Sequence, residues 1–123
     1  MYETPPWGFE ATENFWNMVF IIVTEFSAAE LLQKINKIED SFGRTRDNLI
    51  YKSREMDIDI LYFDDETIKT ENLTIPHPLL HKRLFVLVPL AEIAPDFFHP
   101  VLKLTSLEML KNCEDKSVIK KIT

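Results

Sequence analysis

Between Phe15 and Thr24 the chain reads Phe-Trp-Asn-Met-Val-Phe-Ile-Ile-Val-Thr, dense in β-branched and aromatic residues and apolar at both parities from Met18 to Val23. A strand with one face in water alternates, so a run apolar on both faces implies a strand covered above and below, internal to a sheet. Such a strand needs strand neighbours, and the sequence offers few segments of comparable quality. The implied sheet is short of a member.

The other elements follow from local signals. Ser27-Ala28-Ala29-Glu30 has capping-box spacing and Phe26 stands where it can staple onto Leu31. Leu31, Leu32, Ile35, Ile38 and Phe42 then repeat at helical intervals up to Gly43, a C-terminal stop. Met56 to Phe63 alternates at its start and reads as a second strand; Asp64-Asp65-Glu66 turns the chain, and Thr67 to Ile75 reads as a weaker hairpin. Pro76-His77-Pro78 stiffens the backbone, Leu79 to Ala94 reads as a helix interrupted near Pro89, and Thr105-Ser106-Leu107-Glu108 caps a final short helix. Thr4 to Phe9, with Pro5, Pro6 and Gly8, reads as a loop. The length of 123 residues implies a single domain over 1–123, with one sheet and helices packed on it.

Charge narrows the function. With 46% hydrophobic and 28% charged residues the chain is globular rather than disordered, and a net charge of -6 argues against broad attraction to nucleic acid or anionic membrane. Cys113 alone closes no intrachain disulfide, and the N-terminus lacks a basic segment followed by an apolar one. A cytoplasmic compartment is expected.

Asp57 and Asp59 lie two apart on an expected strand, so both carboxylates emerge on one face, roughly 6 to 7 Å apart at the backbone. Alone, such a pair more often decorates a solvent-facing edge. Here the same face continues with Leu61 and Phe63, and two acids beside a core face suit one or two Mg²⁺ ions with positions open to phosphate oxygens. Arg44, Arg46, Lys52 and Arg54 cluster just upstream in an otherwise acidic chain. Guanidinium groups bind phosphate in a fork, and a basic loop leading into a metal-binding segment fits a polyphosphate site with a closing lid. His77, framed by prolines, suits either a phosphate hydrogen bond or a neutral structural role. Asn17 suits the polar edge of a heterocycle and Phe15, on the same face, its ring, or both simply pack at a strand end. Only Gly8 and Gly43 are present, so no glycine-rich phosphate cradle is possible and phosphates must be held by side chains and metal.

Six ordered blocks then carry a resemblance. They are Tyr2 to Gly8, Phe15-Trp16-Asn17, Glu39 with Phe42 to Arg46, Arg54 to Ile60, Leu73 to Pro78, and Arg83 to Leu87 with Pro89-Leu90. Together they resemble 6-hydroxymethyl-7,8-dihydropterin pyrophosphokinase of folate biosynthesis, the Arg-x-x-Asp-x-Asp-Ile and Thr-Ile-Pro-His-Pro blocks most specifically. The resemblance implies transfer of the ATP diphosphate to the hydroxymethyl group of the reduced pterin, with release of AMP. It implies that Asp57 and Asp59 ligate two Mg²⁺ ions, and that Arg44 and Arg54 meet the polyphosphate. Arg46, His77 and Arg83 would assist, Glu39 would lie near the ribose, and Ile60, Leu73 and Thr74 would line the adenine pocket. Phe15 and Phe85 would hold the pterin on its two faces, Asn17 and the Thr4-Pro5 backbone would meet its edge, and Trp7 would hold it from the loop. The implied fold is a ferredoxin-like α+β sandwich, an antiparallel sheet with helices packed on it. Members carry a further segment ahead of the Tyr2 block, with a first strand and helix, so the expectation is a sheet lacking that strand. The expected partners are ATP and hydroxymethyl-dihydropterin, with no nucleic acid and no membrane. Rival readings are a metal-dependent glycosyltransferase or nuclease using the Asp pair, and a remnant that binds nucleotide or a partner subunit without turnover.

Overall fold

A computed structural model describes residues 2–4, 15–42, 57–117 and 119–121. The described residues form an α+β structure in which helices accompany two small antiparallel sheets. They fall into two compact units, one of Met1–Ile22 with Pro78–Thr123 and one of Val23–His77.

In the first unit, β1 (Tyr2–Thr4) lies between β2 (Phe15–Asn17) and β5 (Lys120–Lys121), antiparallel to both. Tyr2 faces Asn17 on one side and Lys121 on the other. Helix α2 (Leu84–Ile93) packs on β1 and against α3 (Ser106–Asn112), burying Tyr2, Leu80, Leu87, Leu90, Ala91 and Met109. The Tyr2 hydroxyl donates to Glu92 Oε2 at 2.5 Å, and Lys121 Nζ meets Glu92 Oε1 at 2.6 Å, so α2 is joined to both strands. The capping box of α3 forms as its spacing requires, with the Glu108 amide donating to Thr105 Oγ1 at 3.2 Å and the Thr105 amide to Glu108 Oε1 at 3.0 Å.

In the second unit, α1 (Ala28–Ser41) starts at the expected box: the Glu30 amide donates to Ser27 Oγ at 3.2 Å and the Ser27 amide to Glu30 Oε1 at 3.0 Å. Its buried stripe is Ala28, Ile35 and Glu39, while Ile38 and Phe42, expected on the apolar face, are exposed. Strands β3 (Ile68–Lys69) and β4 (Thr74–Ile75) form the expected hairpin, with Ile68 opposite Ile75.

Three expectations are corrected. The strand read over Phe15 to Thr24 extends only to Asn17; residues 18–24 carry no regular structure, and Phe20, Ile21 and Val23 are 64%, 69% and 100% exposed. The far side of β1 is taken by β5, and among the described residues no strand pairs beyond Asn17, so the backbone ladder has nothing to continue on. The strand read over Met56 to Phe63 likewise carries no regular structure over 57–62, where the Leu61 carbonyl takes the His77 amide without a ladder forming among the described residues, and Met56 lies outside them. Finally, the break in the helix read over Leu79 to Ala94 falls at Arg83, which is extended (φ -124°, ψ 118°) between a single 3-10 turn (Leu80–Lys82) and α2. α2 runs through Pro89: an interior proline costs about 3 kcal/mol, and burial of Leu87, Pro89, Leu90 and Ala91 offsets it. Strands β1 and β5 were not expected, being too short to show a period.

Candidate functional site

The expected site residues divide between the two units. Asp57, Asp59, Glu39, Ile60, Leu73, Thr74 and His77 belong to Val23–His77, whereas Thr4, Phe15, Asn17, Arg83 and Phe85 belong to the other unit. Pro5, Trp7, Arg44, Arg46 and Arg54 lie outside the described residues, and Thr4 and Phe15 are described by backbone alone, as partners across the β1–β2 ladder.

In the second unit, exposure still alternates along 57–60. Asp57 and Asp59 face solvent and Ile58 and Ile60 are half-buried, as the sequence pattern implies even without a strand ladder. Two carboxylates therefore share the wet side. The segment is pinned from two directions. From α1, Glu39, itself 7% exposed, accepts the Ile58 amide hydrogen on Oε2 at 2.8 Å. From the segment after β4, the His77 amide donates to the Leu61 carbonyl at 2.9 Å, and His77 Nε2 stands 4.0 Å from Asp59 Oδ2, an ion pair whenever the imidazole is protonated. The Asp59 carboxylate is 60% exposed and His77 is more sheltered, so the carboxylate can turn toward a ligand without losing a buried partner.

Burying a carboxylate on a backbone amide is worthwhile only if the amide would otherwise lack a partner. Without a strand ladder the Ile58 amide has none from a sheet, and Glu39 fills that role. The signal was present in the sequence: Glu39 stands four residues after Ile35, in register with the stripe that α1 buries.

Two exposed carboxylates offer hard oxygen donors that fit a divalent cation keeping several positions for water or phosphate. Among the described residues no three His, Cys, Asp or Glu side chains gather as a group that could hold a metal ion.

In the first unit, Arg83 and Phe85 flank the start of α2. The Arg83 guanidinium carbon lies 5.5 Å from the centre of the Phe85 ring, within cation–π range, and both side chains are half-buried. Arg83 occupies the N-cap position yet supplies no side-chain cap, and the first turn of α2 holds no acidic residue. The Leu84 amide is instead bonded by Asp115, whose Oδ2 accepts it at 3.0 Å. Asn17 ends β2 opposite Tyr2, half-buried. A flat ring and an amide in the same unit can serve a heterocycle, and a guanidinium beside the ring can serve an anion.

A family model described as 7,8-dihydro-6-hydroxymethylpterin-pyrophosphokinase matches residues 1–95. The chain is 46% identical over 101 residues to the 2-amino-4-hydroxy-6-hydroxymethyldihydropteridine pyrophosphokinase of Aquifex aeolicus, an overlap of 82% of this chain and 62% of that protein. To the protein of the same name from Bacillus subtilis it is 47% identical over 93 residues, 76% of this chain and 55% of the relative. To that of Haemophilus influenzae it is 39% identical over 119 residues, 97% of this chain and 73% of the relative. The chain thus spans less than two thirds of the first two proteins.

Proposed function

The chain belongs to the 7,8-dihydro-6-hydroxymethylpterin-pyrophosphokinase family, and from that premise we propose that it transfers the diphosphate of ATP to 6-hydroxymethyl-7,8-dihydropterin, releasing AMP, in folate biosynthesis. The observation that carries this reading is the Asp57–Ile58–Asp59 segment, with two exposed carboxylates on alternate residues and the amide between them held by buried Glu39.

The hydroxymethyl oxygen forms a bond to the β-phosphorus as the bond from that phosphorus to the α–β bridging oxygen breaks. AMP takes the electron pair and the hydroxyl proton is lost to solvent. Little covalent work is left to the protein, so catalysis depends on positioning and charge neutralisation. Asp57 and Asp59 would hold two Mg²⁺ ions, which would supply charge neutralisation to the phosphates when bound. Arg44 and Arg54 would meet the polyphosphate, Arg46, His77 and Arg83 would add hydrogen bonds to it, and Glu39, Ile60, Leu73 and Thr74 would serve the nucleoside. The pterin would lie between Phe15 and Phe85, with Asn17 and the Thr4-Pro5 backbone at its edge and Trp7 excluding water.

The same reading takes 1–123 as one pyrophosphokinase domain on a ferredoxin-like plan, acting in the cytoplasm on these two small molecules, without nucleic acid or membrane. Among the described residues no helix is long and apolar enough to cross a membrane. Incubation of the chain with Mg²⁺, ATP and hydroxymethyl-dihydropterin, followed by chromatography, tests it. Pterin-dependent AMP is expected. ADP, or nucleotide turnover indifferent to pterin, overturns it.

A further inference from the structure

Helix α2 begins without a cap of its own, and its first amide is satisfied from far along the chain. The Leu84 amide donates to Asp115 Oδ2 at 3.0 Å, across 31 residues of sequence. The other carboxylate oxygen, Oδ1, accepts the Ser117 amide at 2.8 Å and the Ser117 hydroxyl at 2.5 Å. Both oxygens are thus engaged, and the carboxylate is oriented by its own turn before it reaches the helix. Burial opposes its ionisation, but the Ser117 hydroxyl and the Leu84 and Ser117 amides outweigh it and hold the carboxyl below the ordinary aspartate range. A negative charge at that end of a helix is also favoured by the helix dipole.

The capped residue matters because of its neighbours. Leu84 separates Arg83 from Phe85, and these two are stacked at 5.5 Å. Arg83 is extended and Leu84 helical, so the backbone changes conformation at the bond that Asp115 secures. The following amides, of Val86 and Leu87, both return to the Arg83 carbonyl, at 3.1 and 3.0 Å. If the Leu84 amide were released to water, the first turn would fray, and the directions in which Arg83 and Phe85 leave the backbone would spread with it. Asp115 lies beyond residues 1–95, the span that the family model matches.

We propose that Asp115 is a positioning residue: by holding the Leu84 amide it fixes the Arg83–Phe85 pair in the orientation that receives a flat heterocyclic substrate. The proposal rests on the reading of Phe85 as one wall of the pterin site. It assigns no contact between Asp115 and substrate.

The test uses the full chain with Mg²⁺ and α,β-methylene-ATP, titrated with fluorescent 6-hydroxymethylpterin. Asp115→Ala is expected to weaken pterin binding about tenfold, the scale of a lost helix cap, and to speed hydrogen exchange at the Leu84 amide. Asp115→Asn keeps an acceptor for that amide and is expected to restore binding to within about threefold of the parent, a rescue that loss of charge alone would not allow. Parent-like binding by Asp115→Ala overturns the proposal, as does equal impairment of both variants in step with a fall in melting temperature. Should Asp115→Ala lose its cooperative melt, Ser117→Ala carries the test, because it keeps the Leu84 bond and the bond from the residue-117 amide but removes the hydroxyl that also orients the carboxylate. Binding weakened about threefold then supports the proposal, and unchanged binding overturns it. Failure of the parent chain itself to bind pterin sinks the functional reading and the proposal with it, a result distinct from all of these.

Discussion

Glu39 Oε2 accepts the Ile58 amide hydrogen at 2.8 Å, so a buried carboxylate on α1 holds the one residue that separates Asp57 from Asp59. Glu39→Ala leaves that amide without its acceptor and opens a void beside Ile35. A loss of about 1–3 kcal/mol in urea unfolding is expected, together with a higher Mg²⁺ requirement for AMP formation. Glu39→Gln keeps an acceptor of the same length and should recover most of both.

The Asp pair itself should behave in the opposite way. Both carboxylates face solvent, so Asp57→Asn and Asp59→Asn should leave the melting curve close to that of the parent chain. AMP formation should fall about a hundredfold or more, the scale of removing a preorganised charge from the reacting phosphates. Full turnover in either variant, followed across Mg²⁺ concentrations, would remove the metal assignment.

Stability in the first unit should depend on pH at both extremes through Tyr2, Glu92 and Lys121. The hydrogen bond with Glu92 raises the Tyr2 hydroxyl above its usual 10.0. The bonds from Lys121 and Tyr2 lower the Glu92 carboxyl below its usual 4.5, and Glu92 in turn raises the Lys121 ammonium. A lowered carboxylate contributes stability that is present above its unfolded value and is lost as pH falls through the folded one. A raised hydroxyl or ammonium contributes stability that is lost as pH climbs through the folded value. Thermal melts should therefore show a plateau between these limits, and Glu92→Gln should flatten both shoulders.

A second pH effect lies closer to neutrality. His99 is 4% exposed and its Nδ1 accepts the amides of Val101 and Leu102 at 3.2 and 3.0 Å, an arrangement that needs the neutral ring. Burial, with His81 nearby, lowers it below 6.5. The unfolded chain then binds the proton first, so stability is complete above pH 6.5 and declines as pH falls through the lowered folded value. Urea midpoints at pH 7.5 and 5.5 should differ in the parent chain. His99→Asn should have the lower midpoint at pH 7.5 and a smaller difference between the two.

What could be read from the sequence was whatever is decided within a few residues. Ser27 and Glu30, Thr105 and Glu108, and the hairpin ending at Ile75 specify their structures through bonds to near neighbours. The segments at 18–24 and 57–62 are different, because a strand exists only if something distant pairs with it, and alternation records which side is wet rather than whether a ladder forms. The exposure of Asp57 and Asp59 was legible on that basis. The contact between Glu39 and Ile58 spans 19 residues and that between Leu84 and Asp115 spans 31, so neither left a local trace, although the spacing from Ile35 did mark the position of Glu39.

The bare stretch from Met18 to Val23 also bears on how molecules of this protein behave toward one another. It holds no charge, proline or glycine to interrupt cross-β stacking, and all its side chains but that of half-buried Val19 are exposed. Mutual repulsion from a net charge of -6 opposes such association at neutral pH, and it weakens as acid or salt removes or screens that charge. This short segment therefore bears on colloidal stability apart from the strength of the packed helices, and one glutamate in place of Ile21, which interrupts the apolar run and adds to the net negative charge, should raise solubility.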